Sequence, residues 1–473
     1  MDQKIQNSGS GINNEVKSDK MPKGIPYIIG NELAERFSYY GMKTILVVFM
    51  TQYIMNQSGV VDPMDDTEAK TWFHLFSMAN YFFPIIGAIV SDMFFGKYKT
   101  IIVVSLLYCL GHVALAVDDT RIGLSIGLTL IAIGSGGIKP CVSAHVGDQF
   151  EKKNKHLLEK IFSIFYFSIN LGAAASSLLT PILLDQFGPH IAFGVPGLLM
   201  FIATFVFWLG RKVFVAIPPV GVKQYKKDVF SPKGKKAILN LSVMYIFIAI
   251  FWSLFDQTGS SWVLQAEQMD KFVNLGFVKF ELLASQIQAI NPLLIMIFIP
   301  LFTYWLYPFL NKFFNLTPLR KISIGLFIAG FSFAILAVAE SRIQAGAEVS
   351  IIWQLIAYVV LTAAEMMVSI TGLEFSYTQA PNSMKSFVMG LWLLSVSFGN
   401  LFAALVNNAI DPVSKYISLW GLSFSLEGSK YFWFFAIIMF FTAVIFVFVA
   451  MRYKVESYIQ TRDALPSPLL TEN

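Results

Sequence analysis

Glu32-Leu33-Ala34-Glu35-Arg36-Phe37-Ser38-Tyr39-Tyr40-Gly41-Met42-Lys43 runs directly into the apolar stretch from Thr44 to Met50. At helical periodicity Glu32, Glu35, Arg36, Tyr39, Tyr40 and Lys43 share an arc of about 140° on one face. An ion at bilayer depth costs roughly 2.5–3.5 kcal/mol on insertion scales. Four ions on one stripe therefore cannot face lipid. They pair with one another or line a wet interior, which points to passage of something polar.

The rest of the chain agrees with a membrane setting. Of its 473 residues 55% are hydrophobic and 14% charged, against about 25% charged in a soluble domain. Its 45 Phe residues are hard to hide in a water-soluble fold of this size. Apolar stretches of spanning length recur at 25–55, 70–95, 98–117, 121–146, 160–184, 190–214, 238–258, 285–313, 319–341, 350–379, 386–410 and 428–455. With both termini in the cytoplasm, Lys and Arg number 25 in inner tails and loops against seven in outer loops. That is a strong positive-inside bias, and it accounts for the net charge of +5 without nucleic-acid binding.

The richest inner loop, Arg211 to Lys236, holds eight basic residues and divides the spans into two sets of six. The expectation is an all-α polytopic protein: twelve transmembrane helices in two six-helix bundles, a major facilitator architecture. The expected boundaries are a disordered cytoplasmic tail at 1–22, a first bundle at 23–216, a basic linker at 217–237, a second bundle at 238–455 and a cytoplasmic tail at 456–473. No signal peptide is visible in the leader. Cys109 and Cys141 sit in apolar segments and form no metal or disulfide pattern. Gly134-Ser135-Gly136-Gly137 lacks phosphate-loop spacing, and close helix packing explains it better. Pro84, Pro140, Pro181, Pro196, Pro292 and Pro300 each remove a donor and are expected to kink or break a span.

Glu32 and Arg36 are spaced and ordered as a helical ion pair. A carboxylate beside an arginine takes a proton more readily once that arginine is drawn away. This is the physics of a proton switch; the alternative is a static pair. Lys139 precedes Pro140, which biases it away from helical geometry. A mid-span lysine calls for an acid, with the first-span acids as candidates, unless it snorkels to the interface. In the second half Asp256 follows Trp252 by four residues. Glu365 shares a helical face with Ser369, Gly372 and Ser376, while Glu374 falls opposite. Asn291 precedes Pro292, Asn170 follows Tyr166 by four, and His74 and Tyr81 share a face. Each of these could be interhelical glue. Together they place a basic pole in the first half and an acidic pole in the second. A solute with a carboxylate and an ammonium fits such poles. Arg36, Lys43 and Lys139 suit one end and Glu365 the other, with Tyr39, Tyr40, Tyr81, Tyr166, Trp252 and Trp392 as aromatic walls.

Glu32-x-x-Glu35-Arg36-Phe37-x-Tyr39-Tyr40-Gly41 resembles a signature of the proton-dependent oligopeptide transporter family. So do Gly87-Ala-Ile-Val-Ser-Asp92-Met-Phe-Phe-Gly96 and Phe162-Ser-Ile-Phe-Tyr166-Phe-Ser-Ile-Asn170-Leu-Gly172. Gly137-Ile-Lys139-Pro140, Phe251-Trp252-Ser-Leu-Phe-Asp256-Gln257, Asn291-Pro292-Leu-Leu-Ile and Gly372-Leu-Glu374-Phe-Ser-Tyr resemble the animal peptide transporters in particular. The resemblance implies proton-coupled uptake of di- and tripeptides, with no bond chemistry and no cofactor beyond the coupling proton. It implies Arg36, Lys43 and Lys139 near the peptide carboxylate, Asn170, Asn291 and Glu365 near the amine, and Glu32, Glu35 and His74 handling protons, with Asp256 grouped among the coupling residues. Ser369 and Trp392 complete the expected binding set. Peptide-like drugs are further expected solutes, and the expected state is a monomer in the cell membrane.

The sequence departs in three ways from the pattern of the family it resembles. Lys43 stands where many bacterial members have arginine, which loses bidentate geometry. The Ser341 to Ser350 link is too short for the extracellular domain of animal members. The Arg211 to Lys236 linker is too short for the two extra helices of many bacterial ones. The rivals are a relative moving nitrate, an amino acid or a drug, and a transporter-like receptor.

Overall fold

Hydrophobic spans of this length can satisfy their backbone groups in lipid only as helices, and helices dominate the computed structural model. It describes residues 20–453 apart from 151–153, 155–156, 216, 220, 275–278, 380–384 and 419–424. The expected tails, before Lys20 and after Tyr453, lie outside the described residues.

In the first half the helices are α1 Ile25–Val48, α2 Asp66–Val90, α3 Lys97–Val117, α4 Arg121–Asp148, α5 Leu158–Phe187 and α6 Pro189–Leu209. The linker carries a short helix, α7 Val222–Val229. The second half opens with α8 Pro232–Phe255, which a tight 3-10 turn, Asp256–Gly259, joins to α9 Ser261–Glu267. There follow a hairpin of β1 Phe272–Asn274 and β2 Lys279–Glu281, then α10 Ile290–Leu301 and α11 Tyr307–Asn311. The last helices are α12 Pro318–Gln344, α13 Ile352–Glu365, α14 Thr371–Gln379, α15 Lys385–Ser418 and α16 Ser429–Arg452. Four π-turns, Phe49–Tyr53, Ser91–Phe95, Phe302–Leu306 and Met366–Ile370, extend or join these runs.

Eleven helical runs among the described residues are long and apolar enough to cross a bilayer. The twelfth span is α1, whose 24 residues reach about 36 Å at 1.5 Å per residue; its buried ions set it apart from the others. Local chemistry sets several starts. Asp65 accepts from the Glu68 amide at 2.8 Å and caps α2, moving its start ahead of residue 70. Ser231 and Thr317 cap α8 and α12, each just before a proline in the first turn.

None of the prolines expected to kink or break a span interrupts its helix, and the break expected beside Lys139 is absent. Helices α2, α4, α5, α6 and α10 run through Pro84, Pro140, Pro181, Pro196 and Pro300, and Pro292 sits in the first turn of α10, where its missing N–H costs nothing. Lys139 is accordingly helical, against the local bias of the following proline. Tertiary packing wins at this point: a Cβ on Gly87 of α2 would lie 2.7 Å from the Gly137 Cα of α4, so the two backbones are pressed together beside Lys139.

Within the first half α1 packs between α5 and α6, and α3 between α4 and α6. In the second, α12 packs on α13 and α16, and α15 on α8. The halves meet where α2 lies against α15 and α5 against α10. The central cavity lies between these two seams.

Candidate functional site

On α1 the ions form a tight set. Arg36 Nε donates to Glu32 Oε1 at 2.7 Å and lies 3.3 Å from Glu35 Oε2. Both carboxylates are buried, at 1% and 0% exposure. Ser135 Oγ on α4 donates to Glu35 Oε1 at 3.1 Å, while Glu32 Oε2 finds no hydrogen-bond partner among the described residues. One guanidinium thus serves two acids.

Lys139 meets neither acid, contrary to the expected pairing, and its ammonium is buried and does not snorkel. It lies 4.1 Å from the ring centre of Tyr39 and 4.5 Å from that of Tyr81. Arg36 already occupies the carboxylates, so the second cation is left to the negative faces of two rings. Asn80 donates to the Tyr39 hydroxyl at 2.9 Å and fixes one of them.

One helical stripe further, Lys43 leaves this cluster for the other half. Its Nζ donates to Asp256 Oδ1 at 2.8 Å, in the tight turn after α8. Asp256 Oδ2 accepts from Asn400 Nδ2 of α15 at 2.6 Å. A carboxylate facing Lys43 accepts, so this contact orients the Asn400 amide. Its Oδ1 then faces His74 Nδ1 on α2, at 2.8 Å, and that nitrogen must donate. His74 Nε2 meets the Ser260 hydroxyl at 3.0 Å and accepts from it in the neutral ring. The run Lys43–Asp256–Asn400–His74–Ser260 crosses between the halves three times.

Further tethers gather toward the same end of the molecule, away from the linker. Gln286 Nε2 donates to the Leu178 carbonyl at 2.9 Å, Gln288 Nε2 to the Thr44 carbonyl at 3.0 Å, and Ser397 Oγ to the Met78 carbonyl at 2.9 Å. These contacts tie the two halves together at that end.

Below these tethers lies a cavity of about 210 Å³, smaller than the roughly 300–1,000 Å³ of drug-sized pockets; it suits a small solute. Tyr40, Lys43, Tyr81, Tyr166 and Asn170 line it from the first half, and Trp252, Asp256, Gln288, Asn291, Tyr358 and Glu365 from the second. Asn291 Nδ2 donates to Glu365 Oε2 at 2.7 Å and to Thr362 at 3.1 Å. Asn170 is turned back on its own helix, donating to the Tyr166 carbonyl at 3.0 Å. No metal-holding cluster of His, Cys, Asp or Glu occurs among the described residues.

The remaining candidates stand off the cavity wall. Glu32, Glu35, Arg36, Tyr39 and Lys139 form the cluster behind Tyr40 and Tyr81. Trp392 packs on Tyr245, on Trp252 and over Gly372. Ser369 does not line the cavity with Glu365. The π-turn Met366–Ile370 adds a residue to the turn between them and rotates the face that an ideal helix would share. Ser376 likewise faces away, donating to the Gly372 carbonyl at 2.6 Å. Sequence reasoning missed Asn400, Ser260 and Gln288. Asn400 left a signal, an amide inside a 34-residue apolar helix; its partners on α2 and after α8 left none.

Comparison with known proteins decides the lineage. A family model described as the POT family matches residues 98–231 and 222–420. The chain belongs to the POT family. A human relative named Solute carrier family 15 member 2 is 39% identical over 373 residues, 68% of this chain and 49% of that protein. A Drosophila melanogaster protein named Peptide transporter family 1 is 38% identical over 372 residues, 69% of this chain and 48% of its own length. The chain spans about half the length of these curated relatives. A solved structure described as an auto-inhibited POT family peptide transporter, 36% identical, superposes with a TM-score of 0.83 over 93% of this chain and 99% of that one. The chain thus carries the POT family fold as a multi-pass membrane protein, and its relatives are named as transporters.

Proposed function

We propose that the protein is a proton-coupled symporter that imports di- and tripeptides, and peptide-like drugs, by alternating access. The observation that carries this reading is the cavity itself. Lys43 stands on one wall and Glu365 on the other, the latter held by Asn291 with no cation within ion-pair distance among the described residues. A zwitterion of peptide length answers both charges; nitrate answers only one.

Coupling follows from occupancy. Every cation near the cavity is already engaged: Arg36 by Glu32 and Glu35, Lys43 by Asp256, Lys139 by two rings. Stripping a buried cation of its carboxylate costs about 3–5 kcal/mol. A proton on Glu32, Glu35 or Asp256 removes that charge as the peptide carboxylate supplies its replacement. Proton and peptide therefore load together, and neither crosses alone. Asn170, Asn291 and Glu365 hold the amine. His74 sits where a proton would alter the seam between halves, because protonated Nε2 becomes a donor and its contact with the Ser260 hydroxyl must reverse. The bundles 23–216 and 238–455 rock about the cavity, with 217–237 as their linker. A membrane potential drives each proton inward by ~2.3 kcal/mol per 100 mV. Both termini lie in the cytoplasm, so the tethered end is external and this conformation opens inward. The protein works as a monomer in the cell membrane.

The test is uptake of labelled dialanine by proteoliposomes under an acid-outside gradient. Accumulation that depends on the gradient is expected; its absence overturns the reading.

A further inference from the structure

The second bundle carries a groove on its outer face that the transport cycle does not use. It lies between α8 and α16 and encloses about 560 Å³, more than the central cavity. Its chemistry divides along its length. Lys236 and Asn240, one turn apart on α8, and Arg452 at the end of α16 form one end. Val243 on α8 and Ile445 and Phe448 on α16 form the other. Ile445, Phe448 and Arg452 recur at helical spacing and so occupy one stripe. From Lys236 to Val243, and from Ile445 to Arg452, the groove follows seven residues, about 10 Å of helix. Ile445 and Phe448 are 51% and 59% exposed, as side chains facing hydrocarbon are. The basic end lies beside the linker, and in a bilayer that end would meet the membrane–water boundary while the apolar end faced hydrocarbon.

We propose that this groove binds one anionic glycerophospholipid. The phosphate sits between Lys236 and Arg452, the glycerol region meets Asn240, and one acyl chain lies along Val243, Ile445 and Phe448. Guanidinium and ammonium groups both recognise phosphate, the former bidentately. The apolar wall adds fit more than driving force, because the acyl chain is already out of water in the bilayer. Preference among lipids therefore rests on the two cations. Phosphatidylglycerol carries a net negative charge, whereas the choline of phosphatidylcholine cancels that of its phosphate. The juxtaposition of two basic side chains with a bilayer-facing apolar trough is independent of any peptide, so the inference stands apart from the transport reading.

The test uses the purified full chain in mild detergent, with phosphatidylglycerol or phosphatidylcholine added, read by native mass spectrometry and by thermal unfolding. Retention of phosphatidylglycerol is expected to exceed that of phosphatidylcholine about fivefold or more, with a raised unfolding temperature. The double variant Lys236→Gln/Arg452→Gln should lose this preference while unfolding at the same temperature as the parent without lipid. Val243→Trp, which fills the apolar end and keeps both charges, should lower retention of both lipids. Glycerol 3-phosphate, lacking chains, should not compete at equal concentration. Equal retention of the two lipids by the parent overturns the proposal, as does competition by glycerol 3-phosphate. Should the double variant fail to fold, unchanged retention in Val243→Trp overturns it equally.

Discussion

Lys43 and Asp256 are 213 residues apart in the chain and 2.8 Å apart in the fold. The pair joins the first helix of one half to the turn after the first helix of the other, and both side chains are buried. Its removal should be felt as a loss of closure at the tethered end.

Lys43→Met leaves Asp256 buried with Asn400 as its remaining partner, and Asp256→Leu strands Lys43. Each should cost about 3–5 kcal/mol. The double variant Lys43→Met/Asp256→Leu should recover most of that loss, since no buried charge remains. Thermal unfolding in detergent compares the three; singles no less stable than the double would contradict the pairing.

Asn400→Leu orphans two groups at once, Asp256 Oδ2 and His74 Nδ1. A cost of about 1–3 kcal/mol for each group is expected. Added to His74→Leu, Asn400→Leu should cost less than it does alone, because one orphan is already gone. A double-mutant cycle on unfolding midpoints measures the coupling, and strict additivity would refute the chain of contacts.

Glu365→Gln keeps an oxygen that can accept from Asn291 and removes the charge. Stability should hold, while gradient-driven dialanine uptake falls roughly 10- to 150-fold, the worth of a charge-assisted hydrogen bond at about 1.5–3 kcal/mol. A peptide whose amine is acetylated should lose little further. Equal uptake of dialanine by parent and variant would remove Glu365 from the amine site.

Two glycines on apolar helices should behave oppositely. Gly87→Ala drives a methyl into the backbone of Gly137, at 2.7 Å from its Cα, and overpacking of this kind costs about 1–3 kcal/mol. Gly30→Ala meets nothing within 4 Å and should stabilise α1 by about 0.5–1 kcal/mol. Unfolding midpoints of the two variants should move in opposite directions.

Much of this protein is legible in its sequence because the bilayer permits few solutions. Apolar runs of spanning length must be helices, and the basic stretch around Arg211 to Lys236 does fall between two sets of six. The stripe on α1 is legible too, since four ions cannot face lipid. What stays hidden is choice among partners. Lys139 could have taken an acid, but whether Arg36 pre-empts it depends on distances that spacing does not encode. The face shared by Glu365 and Ser369 is lost to a π-turn, which changes the helical period without any marker such as proline or glycine at that point. Pro140 misleads in the other direction, because α4 continues through it, packed closely on α2 at Gly87 and Gly137, where local preference would end the helix.

The three tethers from Gln286, Gln288 and Ser397 all donate from the second half to main-chain oxygens of the first. Every amino acid carries such an oxygen, so no replacement of Leu178, Thr44 or Met78 can delete an acceptor. Genetic drift on that side leaves these three grips intact, and their fragility is lopsided: it resides in three donor side chains alone.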